Sequence, residues 1–277
     1  MLGVRVFPCL LLKNSGLVKT IKFQNPRYIG DPINTVKIYN EKEVDELVFL
    51  DIAATTENRK PPFNIISQIA SECFMPFAYG GGIRSLEDIK TILSIGAEKV
   101  VINSYAVENP SFIKEASELF GSQSIIVSID AKKHSNGSYY ISTHGGNKST
   151  KINSIAWATK MEEMGAGEIL LNSIDRDGTM EGYDLELTKK VSEAVSIPVI
   201  ACGGAGKYED IGKVVEAGAS AVTAGSLFVY QGKNRSVLIN FPTRKEIEEI
   251  LGRSIEEIYS TVKCVRRQKF QINDLVE

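Results

Sequence analysis

The sequence predicts a single (β/α)8 barrel, and two observations carry this prediction. Eight short β-branched or aromatic runs alternate with helix-length intervals, which is the pattern of parallel βα units. In addition, residues 76–107 align without gaps on residues 198–229, an offset of 122. Eight units in two similar halves predict one barrel over 1–250, with half-barrels at about 1–122 and 123–250, followed by a C-terminal extension over 251–277.

The predicted strands follow one another along the whole barrel region. They begin at Val4 (VRVF), Glu46 (ELVFL), Pro76 (PFAY), Glu98 (EKVVI), Ser124 (SIIVSI), Glu168 (EILL), Pro198 (PVIA) and Ser220 (SAVTA). Amphipathic stretches between them predict helices, several of which end before a glycine suited to a C-terminal cap. These helices cover Leu86–Ile95, Pro110–Phe120, Asn153–Met164, Leu185–Val195 and Tyr208–Glu216.

The composition argues against several classes of protein. Among 277 residues, 32 Lys plus Arg stand against 34 Asp plus Glu, and this balance argues against a protein that coats nucleic acid. No apolar run approaches the roughly 18 residues of a membrane span, and the amino terminus does not have the pattern of a signal peptide. We therefore expect a cytoplasmic protein. Four cysteines and two histidines follow no metal-site spacing, so we expect neither a metal nor a cofactor.

Glycine-rich or small polar turns follow four of the predicted strands, at the end of a barrel where active sites lie. Glycine lets backbone N–H groups approach an anion, and the start of the next helix adds positive charge. Because the turns form pairs related by the repeat, they predict two phosphate pockets on opposite sides of the mouth, suited to an elongated bisphosphorylated substrate. The residues are Gly81, Gly82, Asn103, Ser104, Gly203, Gly204, Gly225 and Ser226.

Three aspartates at strand ends are candidates for proton transfer. Asp51 follows the second strand, Asp130 the fifth and Asp175 the sixth, with Asp177 two residues further on. A carboxylate among apolar strand ends can take or give a proton when its pKa is tuned. Asp130 is the strongest candidate because its strand is apolar up to the acid. The alternative for each aspartate is a hydrogen bond to loop backbone only.

Four charged residues stand at strand starts, on the opposite face, which we call the floor. They are Arg5, Glu46, Lys99 and Glu168. Two cations and two anions at these places predict a closed ring of ion pairs. The floor of such barrels usually serves stability, yet a buried ring costs desolvation free energy, which leaves a functional role open.

Several motifs resemble those of one known family. They are DELVFLDI at 45–52, GGGI at 80–83, IDAK at 129–132, SIDRDGT at 173–179 and GGAGK at 203–207. From residue 1 to about 230 the chain resembles the cyclase (synthase) subunit of imidazole glycerol phosphate synthase in histidine biosynthesis. The resemblance implies a barrel that receives ammonia from a glutaminase subunit docked at the floor and uses it at the mouth on a phosphorylated small molecule.

The resemblance also assigns roles to individual residues. Arg5, Glu46, Lys99 and Glu168 match the family's salt-bridge gate for ammonia. Asp130 matches its catalytic aspartate, and Lys19 matches a flexible lysine of the first loop. The matching substrate and phosphate loops contain Gly82, Asn103, Asp177, Gly204 and Ser226.

The chain departs from the family at the mouth. Leu11 stands where the family has its first catalytic aspartate, Asn172 where it usually has threonine, and Cys202 where it has serine. An alkyl chain cannot act as a general acid or base, and loss of one such group typically costs roughly 10²- to 10⁴-fold in rate. These departures resemble a paralogous branch in which the barrel and its glutaminase supply ammonia to a separate enzyme that makes acetamidino groups on sugars of surface glycans.

Three hypotheses follow from the sequence. The first is an ammonia-channelling barrel that serves this sugar-amidating enzyme. The second is a true cyclase of histidine biosynthesis in which Asp51 or a water replaces the missing acid. The third is a non-catalytic phosphate-binding scaffold without a glutaminase partner. A sister sugar-phosphate isomerase family shares the half-barrel repeat, but the floor ring and the SIDRDGT motif favour the cyclase side.

Overall fold

The computed structural model describes residues 4–232 and 234–252. Its strands in chain order are β1 (Arg5–Lys13), β2 (Gly16–Ile21), β3 (Gln24–Gly30), β4 (Leu47–Asp51), β5 (Phe77–Gly80), β6 (Lys99–Ile102), β7 (Ile125–Lys133), β8 (Tyr139–Thr143), β9 (Lys148–Asn153), β10 (Glu168–Ser173), β11 (Val199–Cys202), β12 (Ala221–Ala224), β13 (Tyr230–Gln231) and β14 (Ser236–Val237). Eight of them pair in parallel in the order β1, β4, β5, β6, β7, β10, β11, β12. β12 then pairs with β1, so the barrel closes and the predicted fold class is confirmed.

Helices follow the barrel strands and cover the outside of the barrel. They are α1 (Pro32–Glu41), α2 (Phe63–Glu72), α3 (Leu86–Ile95), α4 (Ser104–Glu108), α5 (Ser111–Phe120), α6 (Ser154–Glu163), α7 (Leu185–Ser192), α8 (Glu209–Glu216) and α9 (Ser226–Val229), with a further helical stretch over 244–252. The five predicted helices correspond to α3, α5, α6, α7 and α8. No helix within 4–232 and 234–252 has the length and apolar character to cross a membrane. Apart from 251–252, the predicted C-terminal extension lies outside the described residues.

The two halves of the barrel repeat the same local hydrogen bonds. Ser85 and Asp88 form a capping box at the start of α3, where the Asp88 carboxylate accepts from the backbone of Arg84 and Ser85. At the offset of 122, Asp210 accepts in the same way from Gly206 and Lys207 before α8. The half-barrel repeat is therefore visible in hydrogen bonds as well as in sequence.

Strand alternation separates the interior of the barrel from the layer beneath the helices. The inward-facing apolar cluster contains Phe7, Cys9, Val48, Ala78, Val101, Ile126, Leu170, Ile200, Cys202 and Ala221. Residues that face outward, such as Leu10, Phe49 and Val127, pack against the helices. Because inward side chains recur at every second position, the register fixes how deep each one lies between floor and mouth.

Two antiparallel hairpins extend the barrel at its mouth, and the sequence analysis did not predict them. β2 and β3 form the first arm, which begins with a two-residue turn at Asn14 and Ser15, both at positive φ. β8 and β9 form the second arm, which continues β7. The first arm reaches over the mouth, where the backbone N–H of Lys22 donates to the Asp177 carbonyl at 2.9 Å.

We expect Gly178→Ala to release the first arm. Gly178 has φ +67°, and a Cβ there would lie 2.1 Å from the Thr20 carbonyl oxygen, so the arm must move. The substitution should lower the free energy of unfolding by about 2–4 kcal/mol and expose Lys22 to trypsin. Urea denaturation and limited proteolysis measure the two effects.

Gly137→Ala is the matched control, because Gly137 has φ +78° but nothing within 4 Å of the added Cβ. It should cost only the backbone term of about 1 kcal/mol, without new cleavage at Lys22. Equal effects of the two substitutions would contradict a close docking of the arm.

Candidate functional site

A cavity of about 320 Å³ occupies the mouth of the barrel. The predicted phosphate-loop residues line it from two sides, with Gly81, Gly82, Asn103 and Ser104 after β5 and β6, and Gly203, Gly204, Gly225 and Ser226 after β11 and β12. β5 and β11 are third and seventh in the barrel order, so the two groups lie across the mouth from each other. The space between them suits an elongated ligand with an anionic group at each end.

Asp130 lies at the cavity end of β7, on the fifth barrel strand, with 8 % of its surface exposed. Its Oδ2 accepts a hydrogen bond from the Asn103 amide Nδ2 at 2.6 Å. Burial raises the pKa of Asp130 to about 7, against the effect of the Asn103 hydrogen bond and with a further contribution from the negative charge of Asp177. A carboxyl group with that pKa exchanges a proton readily at neutral pH.

Lys19 extends from the first arm into the cavity and is 5 % exposed. Its Nζ donates to the Cys9 carbonyl at 2.6 Å and packs against Gly225, where a Cβ would lie 2.1 Å from the ammonium. Gly225 therefore leaves the space that Lys19 fills. Burial lowers the pKa of Lys19, and the neighbouring Cys9 and Asp177 oppose that shift.

Asp177 joins the first arm to the loop after β10. Its Oδ2 accepts from the Thr20 hydroxyl at 2.8 Å and from the Phe23 backbone N–H at 3.2 Å. Burial raises the pKa of Asp177, and these hydrogen bonds oppose the shift. Asp177 thus lines the cavity while it holds the arm in place.

Two other strand-end aspartates bond to loop backbone. Asp51 Oδ1 accepts from the N–H groups of Ala53 and Ala54, both at 3.0 Å, and its Oδ2 pairs with Arg59 at 3.3 Å. Asp175 Oδ2 accepts from the Lys133 N–H at 2.8 Å. With its Oδ1 engaged by backbone and its Oδ2 by Arg59, Asp51 is a poor replacement for a missing acid.

The three departures from the resembled family all line the cavity. Leu11, on the first barrel strand, is half-buried and lies across the mouth from Asp130 on the fifth. Asn172 pairs in register with both Asp130 and Cys202, and its buried Oδ1 has no hydrogen-bond partner in the described structure. The wall opposite Asp130 is therefore alkyl at Leu11.

A closed ring of ion pairs lies at the floor. Arg5 contacts Glu46 at 2.6 Å and Glu168 at 2.8 Å, and Lys99 contacts the same two carboxylates at 3.2 and 2.9 Å. Burial lowers the pKa of Arg5, but the hydrogen bond and charge of Glu168, aided by Glu46, raise it overall. Each cation bridges both anions, so an opening in the ring requires that at least one ion pair break.

A local signal in the sequence predicts one part of this site. The Asn14–Ser15–Gly16 turn between two apolar runs is a hairpin signal, and it places Lys19 within the cavity. The Asn172 Oδ1, which has no hydrogen-bond partner among the described residues, could not be found in this way, because this depends on which neighbours three strands bring beside it.

Comparison with known proteins agrees with this geometry. The family described as histidine biosynthesis protein matches residues 5–235, which is most of the chain. The chain belongs to that family. A relative from Pseudomonas aeruginosa, provisionally named imidazole glycerol phosphate synthase subunit hisF2, is 49 % identical over 245 residues, covering 88 % of this chain and 98 % of the relative.

Two further members of the histidine biosynthesis family are similar over most of their length. Imidazole glycerol phosphate synthase subunit HisF of Endomicrobium trichonymphae is 51 % identical and covers 83 % of this chain and 89 % of its own. A Vibrio vulnificus protein, provisionally named imidazole glycerol phosphate synthase subunit hisF3, is 46 % identical and covers 91 % of this chain and 97 % of its own. The predicted resemblance to the cyclase subunit family is therefore confirmed.

We expect the stability of this protein to fall as pH rises from about 4 to 7. In that window the buried Asp130 carboxyl, with its pKa raised to about 7, still holds a proton that the unfolded chain has released. Asp130→Asn keeps an acceptor for Asn103 but removes the titration, so it should flatten the profile and raise the free energy of unfolding at pH 8 by about 2–4 kcal/mol.

Chemical denaturation across this pH range tests the assignment. A wild-type profile with the same slope as Asp130→Asn would show that Asp130 does not titrate near neutrality.

Proposed function

We propose that this chain is the barrel subunit of a glutamine amidotransferase complex. It accepts ammonia at the floor from a glutaminase and releases it at the mouth to a separate cytoplasmic enzyme, which forms an acetamidino group on a sugar for surface glycans. The observation that carries the proposal is the combination of a complete floor ring with a mouth that lacks one acid. The ring serves entry of ammonia, whereas Leu11 removes a group that ring-closing chemistry needs.

The barrel interior suits the passage of neutral ammonia. Above the ion-pair ring the inward-facing side chains form an apolar cluster that extends to Cys9 and Cys202, and the buried Thr223 hydroxyl beside Phe7 already donates to the Phe7 carbonyl at 2.8 Å. Ammonium would lose its hydration there without a compensating partner, whereas neutral ammonia loses much less. The Arg5, Glu46, Lys99 and Glu168 ring is then the gate, and its opening admits ammonia to the interior.

The cavity at the mouth contains the predicted binding residues, but only one of the two acid–base positions that the resemblance implies is an aspartate, Asp130. The two glycine-rich groups and Lys19 line the same cavity, and this supports binding of a phosphorylated small molecule. Asp130 with Asn103 supplies one proton-transfer group, but the opposite wall presents the alkyl chain of Leu11. The names hisF2 and hisF3 of two relatives fit a paralogous branch of the cyclase subunit family.

A second candidate function is the cyclase reaction of histidine biosynthesis itself. The Asp130–Asn103 pair favours it, as does the 51 % identity to the Endomicrobium trichonymphae subunit. In this reading a water near Leu11 would replace the missing acid.

We expect the wild type, supplied with high ammonium salt, not to consume the phosphoribulosyl-formimino aminoimidazole carboxamide ribonucleotide substrate of the cyclase family. Leu11→Asp should restore consumption, with a gain of about 10²-fold or more, because it supplies the missing general acid or base opposite Asp130. Absorbance of the substrate over time is the measurement.

Leu11→Asn is the matched control, since it has the size and polarity of aspartate without a titratable carboxyl group. It should remain inactive. Wild-type turnover comparable to that of Leu11→Asp would overturn the ammonia-delivery proposal and establish the cyclase reaction in its place.

A further inference from the structure

Phe74 is an aromatic side chain that the barrel leaves almost entirely in solvent. It is 85 % exposed and stands in the turn between α2 and β5, at the floor. The same turn is bonded to the gate region, because the Leu47 N–H donates to the Pro76 carbonyl at 3.0 Å and Leu47 directly follows Glu46 of the ring. An exposed phenyl ring therefore stands beside the entrance that we propose for ammonia.

The Asn40 side chain bonds the turn that carries Phe74 to the neighbouring helix. The Asn40 amide at the end of α1 donates to the Glu72 carbonyl at 2.7 Å and accepts from the Phe74 N–H at 3.2 Å. The backbone of the turn is thus fixed to the neighbouring helix. Because this backbone is already ordered, less conformational entropy is lost when a partner covers the Phe74 side chain.

The half-barrel repeat shows that the fold does not require an aromatic residue here. At the offset of 122, Asn40 corresponds to Glu162 and Phe74 to Ser196. The Glu162 carboxylate accepts from the Ser196 N–H at 2.8 Å, from the Ser196 hydroxyl and from the Ile197 N–H at 3.2 Å. In both halves a helix side chain therefore hydrogen-bonds to the equivalent turn, but only the turn of the first half carries a large apolar side chain at this position.

We propose that Phe74 is the anchor by which the glutaminase docks on the first half-barrel side of the floor. This inference rests on the proposed function, in which the glutaminase covers the ion-pair ring. The ring needs a cover, because the Arg5 side chain is 31 % exposed and an uncovered gate loses ammonia to solvent. Buried aromatic anchors close to the centre of an interface typically dominate its affinity. Docking is consequently asymmetric, with the Ser196 side of the floor less tightly held.

The test measures binding of each class I glutaminase subunit encoded in the source genome to the full-length chain by isothermal titration calorimetry. Phe74→Ser introduces serine, the residue that the equivalent turn of the second half carries as Ser196. We expect it to weaken binding by about 30-fold or more, and Phe74→Leu to weaken it less. Tyr28→Ser is the control, since Tyr28 is 65 % exposed but lies on the first arm at the mouth, and its affinity should stay within about twofold of the wild type.

The possible outcomes separate the anchor from the function on which it rests. If wild type and Phe74→Ser bind a glutaminase equally, the anchor is wrong and the proposed function stands. If no glutaminase binds the wild type, the proposed function fails and the anchor with it. If sedimentation shows that Phe74→Ser dissociates a dimer of this chain while glutaminase binding is unchanged, Phe74 serves contact between copies and the assignment to the glutaminase is overturned.

Discussion

Closure of the sheet between β1 and β12 is the constraint on which the other features of this protein depend. In a closed barrel each strand can turn only every second side chain inward, and the register sets the depth of that side chain. β1 illustrates the result: Arg5 joins the floor ring, Phe7 and Cys9 lie in the apolar interior, and Leu11 lines the mouth cavity. Position along a strand thereby becomes position along the axis from floor to mouth.

Charged side chains at the floor and at the mouth have different kinds of partner. At the floor each of the four charged side chains meets two opposite charges, so the ring opens only when ion pairs break. At the mouth Asp130 is buried and has a neutral amide, Asn103, as its partner. Burial therefore keeps its pKa near neutrality. Ion-pair geometry therefore distinguishes the floor and a titratable carboxyl group the mouth, which fits the proposed entry of ammonia at one end and the proposed binding of phosphorylated molecules at the other.

Comparison of the two half-barrels distinguishes features that the fold requires from features that occur in only one half. Asp88 and Asp210 make equivalent hydrogen bonds, and both halves carry an arm at the mouth. Both halves also clamp the turn before a barrel strand, one with Asn40 and one with Glu162. Features shared by the halves serve the fold, whereas a feature present in only one half needs a separate explanation. For the exposed Phe74, the residue to compare is Ser196, which occupies the equivalent position in the second half.

The sequence by itself determined the barrel, its eight strands, its five predicted helices and the ends at which charged residues and glycines stand, because alternation and helical periodicity are local properties of the chain. The resemblance of the first strand motif to that of the cyclase family also implied that Leu11 stands at the position of an acid. Only the tertiary structure decided that Asp51 is engaged by backbone and Arg59, that Lys19 folds into the cavity, and that the Asn172 Oδ1 has no hydrogen-bond partner within the described part of the chain. These outcomes depend on side chains that come together from distant strands, and no local pattern of the sequence encodes them. Burial among these side chains raises the pKa of Asp130 to about 7.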